Sequence, residues 1–189
     1  MNFDFVLDAA QIGVTQGWRK YERWVGAGRG DQVLRRTGQQ SAPESILQVS
    51  VAEALLDHVP TVEFVSLEEG VGKNEHVGWP VDSSRLIDIV GWARDGQPVV
   101  LVEVKRGLGS GGTSLERQLA TVAELAKEPC VGIGVASKRF KNPDDVLPYF
   151  EQLSGFPIAR WFTLPLRALV PGGATEPVLG VALYRAVSS

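Results

Sequence analysis

At 189 residues, with 44% hydrophobic content and a formal net charge of -3, the chain is sized for one well-formed core and is too short for two comfortable domains. A single cysteine, Cys130, rules out a disulfide framework or a cysteine-based zinc cluster, and no apolar run has the length of a bilayer span, so no membrane partner is expected. The first residues carry Asp4 and Asp8 where a secretory signal carries bases, which makes the cytoplasm the expected compartment.

In chain order, residues 1–25 read as mainly helical, with Trp18, Tyr21 and Trp24 spaced by three, and the glycines from Gly26 to Gly30 break the pattern. Aromatic residues at that spacing belong more often to a core than to a binding surface. Ser41 and Pro43 open the first strong helix, which ends near His58, ahead of Pro60. Residues 61–67 form an expected strand. A glycine-rich loop leads to two apolar strands, 85–92 and 98–105, joined by a turn at Asp95-Gly96. The next helix is expected over 113–127, with Thr113 and Glu116 at capping-box spacing, followed by a buried strand over 130–136 that holds Cys130 as an inert thiol. The remainder, rich in proline, accommodates a short helix near 144–153 and strands near 160–164 and 178–185.

Charge is unevenly spread. Residues 17–36 hold Arg19, Lys20, Arg23, Arg29, Arg35 and Arg36 against only Glu22 and Asp31, and Lys138, Arg139 and Lys141 follow the 130–136 strand. Arg19, Lys20, Arg23, Lys138, Arg139 and Lys141 are therefore the candidates for gripping a polyanion, although the acidic total argues against high non-specific affinity.

The strongest chemical signal lies in the paired strands. Asp88 interrupts the first, and Glu103 and Lys105 interrupt the second, in stretches whose other residues are apolar on both faces, as in strands covered by helices on each side. Alternation points Glu103 and Lys105 the same way. Two carboxylates and one ammonium in an apolar setting lack enough compensating charge, and a hard divalent cation would supply it.

This order, a helix, a three-strand meander with Asp88 on its second strand and Glu103-Val104-Lys105 on its third, then a helix and a strand, resembles the PD-(D/E)xK nuclease superfamily over residues 41–136. Ile87 stands where many members carry proline. The resemblance implies an α/β fold with a restriction endonuclease-like three-layer core: a central mixed sheet flanked by helices in the order α-β-β-β-α-β. Residues 1–40 would be a basic, mainly helical extension, 41–136 the nuclease-like core, and 137–189 strands and loops completing the sheet of a single domain.

The resemblance further implies magnesium, with manganese as a substitute, held by Asp88, Glu103 and the carbonyl of Val104, and a water oriented or deprotonated by Lys105, whose pKa the metal and partial burial would lower if it acts as base. Family members often carry a glutamate on the first core helix. Helical geometry selects Glu44, which shares a side with Leu47, Val51 and Leu55, over Glu53, which faces away. RecB-like members also carry Gln-x-x-x-Tyr on the second core helix. Gln118 matches its first position, but Val122 occupies the tyrosine's place.

The expected activity is metal-dependent phosphodiester hydrolysis, with DNA favoured over RNA. The competing expectation is a catalytically inactive nuclease fold serving as a binding or assembly module in a nucleic-acid-processing or defence complex. Cutting both strands of a duplex takes two active sites, so a homodimer is expected if the chain does so.

Overall fold

The computed structural model describes residues 2–25, 44–81, 83–109, 114–153, 155–166 and 177–187. They form four α-helices, α1 (Phe3–Val25), α2 (Glu44–His58), α3 (Leu115–Leu125) and α4 (Val146–Phe150), and six strands, β1 (Phe64–Gly70), β2 (Leu86–Trp92), β3 (Pro98–Arg106), β4 (Val131–Phe140), β5 (Ile158–Pro165) and β6 (Val178–Ala186). The strands make one sheet in the order β1-β2-β3-β4-β6-β5, with β3 and β4 parallel and every other neighbouring pair antiparallel.

Both faces of the sheet are covered, which is why β3 and β4 are apolar almost throughout. On one face α1 and α2 bury Val14, Trp18, Leu47, Val51 and Leu55 against Val100, Val102, Val104 and Ile133. On the other, α3 and α4 bury Leu119, Val122 and Phe150 against Leu101, Ala136, Ala182 and Tyr184. The architecture is thus α/β in three layers. The two helices of the first face approach very closely: a Cβ on Gly13 of α1 would stand 2.5 Å from Val51 Cα of α2. Among the described residues, no helix is long and apolar enough to cross a membrane.

The β2–β3 hairpin turns where the sequence places it. Gly96 adopts φ 78, and the Asp95 carboxylate accepts from Gln97 N–H. Trp18 and Tyr21 are core residues, as their spacing suggests. Cys130 is buried, and burial pushes its thiol up to about 12.

Several boundaries differ from expectation. The first strand occupies Phe64–Gly70 rather than 61–67. Thr113 lies outside the described residues, and α3 is capped by Ser114, whose hydroxyl accepts from Arg117 N–H. Strand β4 continues to Phe140, so Lys138 and Arg139 belong to a strand paired with Gly180 and Leu179 and do not follow one. Leu86, expected to be buried, is 53% exposed at the start of β2.

Candidate active site

The ladder between β2 and β3 pairs Ile89 with Val102 and runs back to the hairpin; Asp88 and Glu103 lie just past its last pair. Where the strands part, a side chain fills the gap: Asp88 Oδ2 accepts from Val104 N–H at 2.7 Å. The carbonyl of Val104 points to the same side of its strand as that N–H, and so faces the same opening.

Glu103 sits beside this opening at 1% exposure, its carboxylate oxygens buried and next to the Asp88 carboxyl, close enough for the two acids to share a proton. Leaving such a group ionised costs several kcal/mol. Burial first, and the neighbouring Asp88 second, push its carboxyl up to about 9, with the Lys105 ammonium opposing them. Two adjacent buried acids favour a proton between them, and a cation at the same place would take over its role.

Lys105 completes the group. Its Nζ donates to Glu44 Oε1 at 3.0 Å, joining the end of β3 to the first turn of α2. Burial alone would lower the ammonium's pKa, but the bond to Glu44 and the charges of Glu44, Asp88 and Glu103 outweigh it and raise the pKa. The lowering that the resemblance implies belongs instead to a bound metal and a Lys105 acting as base. Glu53, on the far side of α2, is paired with Lys20 of α1.

Gln118 approaches from α3. Leu119 packs on Gly134, where a Cβ would stand 2.6 Å from Leu119 Cδ2, and Gly134 is the register partner of Glu103. Gln118 immediately precedes Leu119 and so belongs to the turn of α3 that lies over this part of the sheet. Its Oε1 is buried without a partner. Val122 lies against Gly132, leaving no space there for an aromatic ring.

Two carboxylates fit one kind of ion. Among the described residues no three His, Cys, Asp or Glu side chains are grouped as a zinc or calcium cage would require. Magnesium uses one or two carboxylates, keeps several waters and accepts a backbone carbonyl. The carboxylate oxygens of Glu103 and Asp88 and the Val104 carbonyl suit that donor set.

Two further polar residues adjoin the group and were not foreseen. Gln48, buried on α2 one turn after Glu44, donates to Glu68 Oε1 at 3.4 Å. A glutamine four residues after Glu44, between Leu47 and Val51, was the available sequence signal. Glu68 had none, since the expected strand stopped short of it. It is the one non-glycine among the described residues with positive φ, at 52, a conformation that costs about 1–2 kcal/mol.

The six basic candidates are dispersed. Lys20 is bound to Glu53 and Ser50. Lys138 lies over the Tyr149 ring, 3.7 Å from its centroid, and the Tyr149 hydroxyl accepts from Leu108 N–H in the loop that follows Lys105. Arg19, Arg23 and Lys141 are solvent-facing, and Arg139 is half-buried.

Comparison with family models, with curated proteins and with solved structures finds no match to this chain.

Proposed function

We propose that the chain is a magnesium-dependent nuclease of the PD-(D/E)xK type, with a restriction endonuclease-like core, hydrolysing phosphodiester bonds in DNA in preference to RNA. The observation that carries this reading is the pair of buried acids: Glu103, nearly inaccessible, stands against Asp88 where the sheet opens, and burial together with that neighbour raises its pKa.

In this reading Asp88, Glu103 and the Val104 carbonyl hold the ion, which when bound makes water more acidic and offsets charge growing on the phosphate. Asp88 is oriented by the Val104 amide. Lys105 stays charged in the ion-free protein through Glu44, so its role is to hold the attacking water or a phosphate oxygen as a cation, and Glu44 fixes where its ammonium stands. The buried Gln118 Oε1 is available to accept from that water.

The same Lys105–Glu44 bond favours the second reading, a binding or assembly module that cleaves nothing, since an ammonium committed to Glu44 has fewer donors for a substrate. Incubation with linear, circular, single-stranded and branched DNA and with RNA, in magnesium or manganese, tests both. Cleavage by the native chain that disappears in Asp88→Ala and in Lys105→Ala is the expected result. Full activity in either variant, once folded, rejects the assignment.

A further inference from the structure

Strand β1 breaks its own alternation at one residue, and that residue lies between the register partners of Ile89 and Ile87, which flank Asp88. Ser66 accepts from Trp92 Nε1, and Phe64 stacks on the same indole, so the even positions of β1 belong to the face of the sheet that carries α3. Glu68 should follow them. Instead its left-handed backbone, at φ 52, turns its carboxylate to Gln48 of α2, on the opposite face.

Its position in the ladder is equally specific. Leu67 pairs with Ile89 and Glu69 with Ile87, so Glu68 stands across from Asp88. Gln48 lies one turn from Glu44 on the same side of α2. Hydrogen bonds thus join Lys105 to Glu44 and, one turn along the same helix, Gln48 to Glu68, whose neighbours Leu67 and Glu69 pair with the residues on either side of Asp88. Glycine or asparagine would occupy this backbone conformation with less strain, yet the position carries a glutamate whose side chain has a specific partner.

We propose that Glu68 is a positioning residue for the ion site: its bond to Gln48 ties the helix that carries Glu44 to β1, the strand paired with the one that carries Asp88. This rests on the reading of Asp88 and Glu103 as ion ligands. Residues that orient ligands from behind commonly set affinity by 10- to 100-fold, and this tether acts at that level.

Titration calorimetry with Mn2+ on the native chain and on Glu68→Gly, Glu68→Gln, Gln48→Ala and Asp88→Asn, with melting temperatures alongside, tests the proposal. Glu68→Gly is expected to melt no lower than the native chain, because its backbone strain is relieved, yet to bind Mn2+ about tenfold more weakly. Gln48→Ala removes the donor from the other end and is expected to weaken binding similarly. Glu68→Gln keeps an acceptor oxygen for Gln48 and is expected to bind as the native chain does. Native affinity in both Glu68→Gly and Gln48→Ala overturns the tether and leaves the ion site standing. A Glu68→Gln variant as weak as Glu68→Gly also overturns it, because charge and not position would then be what matters. A native chain that binds no Mn2+, or binding undiminished in Asp88→Asn, removes the ion site and this proposal with it.

Discussion

Lys105 and Glu44 are 61 positions apart in the chain and share a 3.0 Å hydrogen bond. Both are less than a third exposed, at 19% and 31% of their side chains, so the pair is only partly screened by solvent. A charged hydrogen bond in such a setting contributes about 1–2 kcal/mol. Glu44→Gln should lower the unfolding free energy by about that amount in urea titrations at pH 7, and an unchanged midpoint would show the pair to be idle.

The raised pKa of Lys105 gives that contribution a pH signature. A group held above its unfolded value, near 10.4, stabilises fully below that value and loses the contribution as pH rises through the folded pKa. The stability difference between the native chain and Glu44→Gln should therefore be constant from pH 6 to 9 and shrink above pH 10. A difference that persists unaltered at pH 11.5 would contradict this.

Glu103 acts in the opposite sense, because its acid form is the one the fold prefers. With a folded pKa of about 9 and an unfolded value near 4.3, the native state keeps a proton that the unfolded state has lost. Stability of the ion-free protein should fall as pH rises between those two values, with a slope of at most about 1.4 kcal/mol per unit. Glu103→Gln removes this dependence and should melt at least ~3 °C above the native chain at pH 8, in chelator, by scanning calorimetry. Superimposable pH–melting curves for the two would refute the shifted carboxyl.

The central pattern was legible in sequence because the residues that defined it are local. Two apolar strands interrupted by three charges predicted the burial of those strands, and the 100-degree helical step separated Glu44, which reaches Lys105, from Glu53, which pairs with Lys20. What escaped depended on backbone conformation or on partners distant in the chain. Residues 61–63 are polar-apolar alternating like a strand, but the ladder with β2 begins only at Phe64, opposite Trp92. Propensity also cannot show that Glu68 takes φ 52, since glycine is the usual sign of such a conformation. The Lys105–Glu44 bond likewise joins residues 61 positions apart, which no local pattern displays.

Gln118 separates stability from activity. Its buried Oε1 has no partner, a condition that costs about 1–3 kcal/mol, so Gln118→Leu should raise the unfolding free energy of the ion-free protein by roughly 1 kcal/mol. The same change removes an acceptor on the turn of α3 that lies over Gly134, the register partner of Glu103, and should reduce cleavage at least tenfold under the proposed reading. Loss of stability together with full activity would assign Gln118 to the core alone.

Of the basic residues, Lys20 and Lys138 should behave differently. Lys20 is engaged by Glu53 and Ser50, so its charge is already compensated, and Lys20→Ala should leave DNA affinity near native while lowering stability by less than about 1 kcal/mol. Lys138 lies over Tyr149, a ring that also holds the Leu108 amide beside the end of β3, and Arg106 of β3 pairs with Ser137 next to it. A strand bound at Asp88 and leaving along this end of the sheet would meet the Lys138 ammonium, whose aromatic partner leaves its N–H donors uncommitted to any carboxylate. Lys138→Ala should therefore weaken binding across all DNA sequences and reduce the slope of log affinity against log salt by about one, measured by fluorescence anisotropy with calcium in place of magnesium. An unchanged slope in Lys138→Ala, or a loss of one in Lys20→Ala, would move the nucleic-acid path to the α1 side of the sheet.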